Sequence, residues 1–396
     1  DVTDRKAEVR MRVLLSTVGS RGDVQPMVAL ALRLRELGHQ ARVCAPPGFD
    51  DVLDGLPYVR IGHDLRLGAR RVPGGAAGTV AAQFEVLGDA AAGCDAVVGC
   101  AAMQIAGRSI AEKHCIPYFY AAYAPVCLPS VHHSPPPVDG PPRPEGVDNG
   151  TRWDVDAQWW NSTWSAGLNA QRMAIGLDPV TDVRAHVLTD RPLLAADPTL
   201  APWPSTDTFD VVQTGAWLQE DPRPLSDDVQ RFLDAGEPPI LFGLGSILKP
   251  RVRGQTMLEA ARQLRRRAII LRGWAGITAD GAPSDWLSVG ETNLQALLTR
   301  VAAVVHHGGS GTTTQALQSG APQVVVPHHF DQPYHGHRIC ELGVGRSCPG
   351  GDVTVDSLRN TLDRVLADPV RARARALAGA VRTDGTAVAA QLILHR

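Results

Sequence analysis

The 396-residue chain lacks the features that would place it in a membrane or on nucleic acid. It has no run of about 18 apolar residues, so no segment is predicted to span a bilayer. The formal net charge is −2, which gives no basic field for nucleic acid or for an anionic membrane. The first ten residues lack the apolar core of a signal peptide, and we interpret 1–10 as a flexible leader.

Cysteine is scarce and follows no pattern. The chain has seven cysteines, an odd number, and no two of them form a CxxC pair. This argues against a disulfide framework and against a structural zinc site. Scattered cysteines are typical of small buried hydrophobes, and they favour a reducing cytoplasm as the compartment.

Common nucleotide and metal motifs are also missing. The sequence has no GxxxxGK[ST] P-loop, and no GxGxxG follows its first predicted strand, which weakens a dinucleotide interpretation. No DxD motif lies in a suitable loop, so we expect no bound metal.

What the sequence does contain is an alternation of strand and helix patterns. Residues 12–17 form a short apolar run, small residues follow at 18–23, and 24–37 carries apolar residues at helical spacing. A strand at 41–45 completes a βαβ unit, which implies a parallel sheet. The alternation resumes with strands predicted at 240–243, 268–271, 301–305 and 323–326.

A proline-rich interval divides the two halves. Prolines interrupt the pattern between 197 and 225, and we place a linker at 209–216. The prediction is an N-terminal domain at 11–208 and a C-terminal domain at 217–380. A helix at 381–396 could pack back on the N-terminal domain.

A glycine-rich turn follows a predicted strand of the second half. The letters HGGSGT at 307–312 precede a helix predicted at 313–320. A helix N-terminus offers free N–H groups and partial positive charge, and glycines admit an anion closely, so a phosphate site is predicted. Thr312 and Thr313 add hydroxyl donors, and His307 adds an imidazole that would offset charge if protonated. The alternative is that the glycines only shape a tight turn.

A polar pair follows the next strand. Asp331 and Gln332 stand at its carboxyl end, where ligands bind in open α/β sheets. Their carboxylate and amide groups suit sugar hydroxyls. Such a pair alone is typical of solvated surface, but its place one strand after the phosphate-type turn favours a ligand.

These segments together resemble the donor signature of GT-B glycosyltransferases of family 1. In that family the histidine and the turn hold the donor diphosphate, and the Asp-Gln pair holds the sugar. The segment 243–246 resembles the first donor-domain loop, 289–293 resembles the segment that meets the nucleotide base, and 19–26 resembles the acceptor-domain loop. The resemblance implies two Rossmann-like parallel-sheet domains that face each other across a cleft.

The resemblance also implies site residues. Donor phosphate contacts are implied for Ser20, Arg21, Ser246, His307, Gly309, Ser310, Gly311, Thr312 and Thr313. Nucleotide-base contacts are implied for Arg272, Val289 and Asn293, and sugar contacts for Asp331 and Gln332.

A closer resemblance is to the bacterial enzymes that glycosylate vancomycin- and teicoplanin-type glycopeptide antibiotics. The segments that carry it are 19–23, 118–120, 213–217, 343–345 and 382–386. Two features depart from that group. The region 54–73 is shorter than expected, and Arg346 stands where the group runs apolar.

This resemblance implies a metal-independent, inverting transfer of a hexose from a UDP- or dTDP-sugar to a hydroxyl of a cross-linked heptapeptide aglycone. An intact Asp-Gln pair favours glucose or N-acetylglucosamine. The alternatives are a sterol or polyketide (macrolide) glycosyltransferase and, in a different class, a UDP-sugar epimerase or nucleotide-sugar-binding protein. We expect a monomer that needs no cofactor beyond its co-substrate and binds neither nucleic acid nor, stably, a membrane.

Glycosyl transfer needs a base near the acceptor hydroxyl. Asp23 is our candidate, because it ends the first strand on a turn of small residues that leaves an acceptor room. The alternative is that Asp23 is a helix N-cap that accepts from N–H groups near Gln25 and Pro26. Asp331 is a rival base.

The acceptor side is predicted from a proline-rich stretch at 128–153, which excludes helix interiors and central strands and indicates a long loop or flap. Aromatic faces around it suit an aromatic peptide. The candidate contacts are Tyr120, Tyr123, His132, His133 and Trp159. Alternatively, the histidines face solvent, and Trp160 and Trp164 belong to the core side of a helix at 156–175.

Overall fold

The computed structural model describes residues 10–53, 55–68, 73–101, 103–136, 145–204, 210–278, 284–348 and 350–395. These residues form two parallel sheets, each with its own strand order. The predicted leader, apart from its last residue, lies outside the described residues, as does 137–144 of the proline-rich stretch.

The N-terminal sheet has, within the described residues, seven strands in the order β3-β2-β1-β4-β5-β6-β7. The strands are β1 (Arg12–Thr17), β2 (Gln40–Ala45), β3 (Tyr58–Arg60), β4 (Ala96–Cys100), β5 (Tyr118–Ala122), β6 (Leu193–Leu194) and β7 (Val212–Gln213). The helices are α1 (Arg21–Glu36), α2 (Gly75–Ala90), α3 (Gly107–Lys113), α4 (Asn149–Ala174) and α5 (Val183–Leu188).

The C-terminal sheet has, over the same described ranges, six strands in the order β10-β9-β8-β11-β12-β13. The strands are β8 (Ile240–Gly243), β9 (Ala268–Leu271), β10 (Trp286–Val289), β11 (Ala303–His306), β12 (Gln323–Val325) and β13 (Gly345–Ser347). The helices are α6 (Asp227–Asp234), α7 (Gly254–Gln263), α8 (Leu294–Leu298), α9 (Ser310–Gln318), α10 (Gln332–Glu341), α11 (Val355–Val365), α12 (Asp368–Ala378) and α13 (Gly385–Leu394).

Both faces of each sheet are buried, which explains why the strands are apolar throughout rather than alternating. In β1, Leu14 packs in one core cluster while Val13 and Leu15 pack in the other. In β8, Phe242 and Leu241 divide in the same way between two further clusters. The predicted GT-B fold, with two Rossmann-like domains, is confirmed.

The strand order fixes where ligands are expected. It reverses between β1 and β4 in the first sheet and between β8 and β11 in the second. Open α/β sheets bind ligands at such switch points, beyond the carboxyl ends of the strands. Asp23, in the first turn of α1, follows β1, and the glycine-rich turn follows β11.

Helix starts were predicted too late. α1 begins at Arg21 rather than at 24, and α9 begins at Ser310 rather than at 313, because glycines and polar residues open both helices. α4 begins at Asn149, inside the stretch predicted as a loop, because Asp148 caps it by accepting from the Thr151 N–H at 2.9 Å.

The domain junction also differs from the prediction. β7 pairs with β6, so residues 212–213 of the predicted linker belong to the N-terminal sheet. The final helix, α13, places Ala389 and Ile393 in the N-terminal core with residues of α1. Among the described residues, no helix has both the length and the apolarity to cross a bilayer.

Candidate active site

Loops at the carboxyl ends of the two sheets meet each other. The Ser310 hydroxyl, in the first turn of α9, donates to the Tyr123 carbonyl oxygen at 2.9 Å. The Arg21 guanidinium pairs with the Glu291 carboxylate, which follows β10. These contacts join the segment after β5 and the start of α1 to the C-terminal domain.

The Asp23 carboxylate is held at the start of α1. Ser20 is the N-cap, and the Asp23 Oδ2 atom accepts from the Ser20 N–H at 2.8 Å. A Cβ atom on Gly19 would lie 2.2 Å from that oxygen, so the turn needs glycine there. The hypothesis that Asp23 is itself the N-cap is wrong: it is the third helical residue and pairs back to the cap, and Pro26 has no N–H to donate.

The pKa of Asp23 is raised from 3.8 to about 6, mainly by burial, while the Ser20 N–H opposes the shift and the Asp331 charge adds to it. The pKa of Asp331 is raised to about 6, also mainly by burial. The charge of Asp331, from the other domain, thus favours the protonated form of Asp23. A carboxylate with a pKa near 6 is ionised at neutral pH and is a stronger base than an ordinary aspartate.

The phosphate-type turn has the predicted form. Gly308 has a φ of +93°, which a residue with a side chain rarely adopts, and a Cβ atom there would lie 2.7 Å from Val325. Gly309 is the N-cap of α9. The N–H groups of the first helical turn, at 310–312, have no carbonyl four residues back within the helix, so they suit an anion.

The imidazole of His307 is packed between two glycines. A Cβ atom on Gly309 would lie 2.5 Å from its Nε2 atom, and one on Gly245 would lie 2.9 Å from its Cε1 atom. Its Nδ1 atom is buried, with no hydrogen-bond partner among the described residues. Burial, followed by the charges of neighbouring histidines, lowers the pKa of His307 to about 3. The ring is therefore neutral and offers a hydrogen bond rather than a charge.

Several predicted donor contacts have structural roles instead. The Thr313 side chain is buried and its hydroxyl donates to the Gly309 carbonyl at 2.9 Å, so it does not face an anion. Ser246 after β8, and Gly311 and Thr312 in the first turn of α9, are partly exposed, and their contact with a donor phosphate stays a prediction.

Of the two residues predicted to contact the sugar, Asp331 is accessible and Gln332 is not. The Asp331 side chain is 21% exposed. Gln332 is buried, and its Oε1 atom accepts from the His328 N–H at 2.8 Å and from the His329 N–H at 3.3 Å. The side-chain amide oxygen of Gln332 therefore stabilises the loop before α10 and is not directed at a sugar hydroxyl.

Sequence reasoning missed His335, which joins the two donor loops. The residue is fully buried, and its Nδ1 atom lies 3.0 Å from the Gly308 carbonyl oxygen and 3.4 Å from Asp331 Oδ2. Burial lowers its pKa to about 4, so the neutral ring donates to the carbonyl. Its spacing of four from Asp331 on one helix was the available signal.

The segment predicted to meet the nucleotide base lies at the carboxyl ends of β9 and β10. The Arg272 N–H donates to the Val289 carbonyl at 3.0 Å, which sets the exposed Arg272 side chain at the ends of β9 and β10. Asn293 is buried and caps α8 by accepting from the Ala296 N–H at 2.9 Å. Its amide donates to the Asp221 and Arg223 carbonyls, so it is not a side-chain ligand of the base.

The predicted acceptor contacts are largely internal. Tyr120 is 3% exposed and packs in the core. The Tyr123 hydroxyl lies 3.2 Å from the Asp23 carbonyl oxygen, behind the candidate base. His133 is half-buried between Trp153 and Trp203 rather than facing solvent.

The two remaining candidates differ. His132 is exposed, and Trp159 is partly buried with its ring edge-on to Trp160. Trp160 and Trp164 are buried in the core, as the alternative interpretation predicted.

Several apolar side chains are exposed in segments that follow strands. Each member follows a strand, and composition alone could not identify the set because single exposed apolar residues are common. The set is Leu67 after β3, Met103 after β4, Val131 after β5, Leu248 after β8 and Phe330 after β12. Phe330 also has a φ of +52°, a rare conformation for a bulky residue and one that clusters at functional sites.

Among the described residues, no group of three or more His, Cys, Asp or Glu side chains is arranged to hold a metal ion. The positive end of α9 and the ring of His307 are the groups available to a diphosphate.

Comparison with known proteins agrees with this geometry. Residues 13–133 match the glycosyltransferase family 28 N-terminal domain, and residues 276–392 match the C-terminal domain of erythromycin biosynthesis protein CIII-like proteins. The chain is 47% identical to glycosyltransferase GtfE of Amycolatopsis orientalis, covering 97% of each chain. It is 45% identical to the vancomycin aglycone glucosyltransferase of the same organism, again covering 97% of each chain.

A solved structure shares the fold at lower identity. The glycosyltransferase VinC, crystallised with dTDP, superposes with a TM-score of 0.68 at 21% identity, covering 98% of this chain and 100% of VinC. The similarity extends over both domains.

Proposed function

The chain belongs to the GT-B glycosyltransferases of the vancomycin type, and on that premise we propose that it transfers a hexose from a UDP- or dTDP-sugar to a hydroxyl of a cross-linked heptapeptide aglycone. The observation that carries the proposal is the placement of Asp23, with its raised pKa, at a cleft whose other wall holds the first turn of α9. The two halves supply a base and an anion site.

In the proposed reaction, Asp23 accepts the proton of the acceptor hydroxyl while the acceptor oxygen attacks the anomeric carbon. The bond from that carbon to the diphosphate breaks, and the nucleoside diphosphate leaves with the bonding electron pair. Backbone N–H groups at 310–312 and the ring of His307 stabilise the leaving charge. Attack from the face opposite the leaving group inverts the anomeric centre.

The remaining residues have supporting roles in this proposal. Asp331, partly exposed beside the donor turn, orients sugar hydroxyls, and Arg272 and the backbone at Val289 contact the nucleotide base. Glucose and N-acetylglucosamine are the favoured sugars, since a partly exposed carboxylate suits a fully hydroxylated hexose. The positive end of α9 serves in place of a divalent cation, so transfer is independent of metal.

The acceptor class is supported by two independent observations. A relative 45% identical over 97% of the chain is named as a vancomycin aglycone glucosyltransferase. The apolar residues exposed after β3, β4, β5, β8 and β12 suit an aromatic peptide better than a small polar acceptor.

A matrix of nucleotide sugars against aglycones, read by mass spectrometry, tests the proposal. The donors are UDP- and dTDP-glucose and UDP-N-acetylglucosamine, and the aglycones are glycopeptide, macrolide and sterol. We expect the mass of one hexose or N-acetylhexosamine on a glycopeptide aglycone. Transfer only to a macrolide or sterol would overturn the acceptor class but not the family, and conversion of the sugar nucleotide without any aglycone would indicate an epimerase.

A further inference from the structure

Tyr123 stands between the candidate base and the donor helix. It follows β5, and its hydroxyl oxygen lies 3.2 Å from the carbonyl oxygen of Asp23 and 3.0 Å from the sulfur of Cys100, the last residue of β4. Its ring packs edge-on against Trp217, with ring centroids 6.2 Å apart. The side chain is thus fixed by β4, by the chain after β7 and by the loop after β1.

The backbone of the same residue is fixed from the other domain. The Ser310 hydroxyl donates to the Tyr123 carbonyl oxygen at 2.9 Å. Ser310 is the first residue of α9, whose N-terminus is the proposed diphosphate site. A single residue therefore joins the donor helix through its carbonyl group to the backbone of Asp23 through its hydroxyl group.

The Ser310 hydroxyl and the Ser310 N–H face different partners. The hydroxyl is bonded to the N-terminal domain, whereas the N–H lies in the first turn of the helix and donates to the Asp331 carboxylate. The phenol of Tyr123 has a pKa raised by burial, so it stays protonated and donates. Both groups are therefore suited to positioning rather than to proton transfer.

We propose that Tyr123 and Ser310 form an interdomain link, here called the latch, through the hydrogen bonds from Ser310 to Tyr123 and from Tyr123 to the Asp23 carbonyl. The latch holds Asp23 at a fixed position relative to the donor diphosphate. Tyr123 is a positioning residue, and its effect on the reaction passes through the backbone of Asp23. The inference rests on the proposed role of Asp23 as the base. It reassigns the Ser310 hydroxyl from the phosphate to the latch.

The test removes each hydroxyl with little change in shape. Tyr123→Phe keeps the ring against Trp217, and Ser310→Ala keeps the backbone N–H. Ser319→Ala is the matched control, because its hydroxyl is on the same helix but donates to the Ala316 carbonyl at 2.9 Å. Ser310→Thr retains a hydroxyl and should restore most of the activity.

We expect Tyr123→Phe and Ser310→Ala each to lower kcat about tenfold, because each removes one hydrogen bond from the reacting geometry. The double variant should lose little beyond either single variant, since both act on one chain of contacts. The donor dissociation constant, measured by calorimetry, should change less than about twofold, because the phosphate contacts remain. Ser319→Ala should match the wild type.

Hydrogen–deuterium exchange gives a second readout that needs no turnover. Peptides covering 16–24 should exchange faster in Ser310→Ala and in Tyr123→Phe, but not in Ser319→Ala. This separates failure of the latch from failure of the proposed function, because the exchange is measured whether or not an aglycone is accepted. Loss of donor affinity at unchanged kcat in Ser310→Ala, additive losses in the double variant, or unchanged exchange at 16–24 would each overturn the latch.

Discussion

A single methyl group decides whether the ring of His307 can stay in place. Gly309→Ala would put a Cβ atom 2.5 Å from the Nε2 atom, so the ring must move out of the donor turn. We predict that this variant weakens donor binding by at least about tenfold, the loss of one good hydrogen bond to a charged ligand. Calorimetric titration with the nucleoside diphosphate checks this.

Gly311→Ala is the matched control, since nothing lies within 4 Å of a Cβ atom at that position. It should leave His307 in place and retain most of the donor affinity. An equal loss in both variants would mean that close approach of the diphosphate to the helix, and not the position of the imidazole, limits binding.

The raised pKa of Asp23 predicts the pH dependence of the reaction. The base acts when ionised, so kcat/KM should rise with pH through about 6 and then level off. Asp23→Asn keeps an oxygen that can accept from the Ser20 N–H, so the start of α1 is retained while the base is lost. We expect a loss of roughly 10²–10⁴ in turnover and disappearance of the acid limb. An acid limb that persists in this variant would assign it to another group, with Asp331 the first candidate.

Among the elements, the long helix α4 is fixed to its neighbours by a buried polar network around Arg172. The Arg172 side chain is 6% exposed, and its guanidinium donates to the Asp178 carbonyl at 2.7 Å, the Ser109 hydroxyl at 2.9 Å and the Glu112 carboxylate at 2.6 Å. His186 lies 3.0 Å from the same hydroxyl. The network ties the C-terminal end of α4 to α3 and α5.

Arg172→Met should therefore lower the free energy of unfolding by on the order of 3 kcal/mol, because it leaves buried acceptors without a partner. Arg371→Met removes an exposed ion pair with Asp368 and should change the free energy of unfolding by less than about 0.5 kcal/mol. Urea unfolding of both variants measures the difference. Similar small losses in both would show that the network adds little to stability.

Strands and turns could be predicted from the sequence, whereas the direction of individual side chains could not. Apolar runs and glycine-rich turns repeat locally, so the strands at 240–243 and 268–271 and the phosphate turn could be predicted. The direction of a side chain depends on neighbours distant in sequence. Hence Thr313 and Asn293 were assigned to the ligand although both serve helix starts, and His335, which bonds across 27 residues to Gly308, was missed.

At the scale of the whole molecule, the C-terminal helix connects the two domains. α13 begins at Gly385, where a Cβ atom would lie 2.3 Å from the Ala216 carbonyl oxygen and 2.6 Å from that of Gly215. Both are backbone atoms and cannot move aside easily. The far end of the helix packs in the N-terminal core through Ala390 and Ile393.

We predict that Gly385→Ala destabilises the protein by about 1–3 kcal/mol, because the start of α13 must shift away from the chain after β7. Gly379→Ala, for which nothing lies within 4 Å, should be neutral or slightly stabilising. Thermal unfolding of the two variants checks the contrast. Equal melting temperatures would show that the junction tolerates the added methyl group.

The order of motifs along the chain was enough to predict two domains and a donor site in the second. The contacts that join the domains could not be predicted, because pairs such as Tyr123 with Ser310 lie 187 residues apart and neither residue belongs to a periodic pattern. The candidate site draws on both halves, and the proposed reaction depends on that junction.

The proposed reaction is tested most directly by the release of nucleoside diphosphate from a sugar donor with and without a glycopeptide aglycone, in the wild type and in Asp23→Asn. We predict release that requires the aglycone in the wild type and is nearly abolished in the variant, since the acceptor hydroxyl cannot lose its proton. Release at the same rate without the aglycone, or undiminished in Asp23→Asn, would contradict the account.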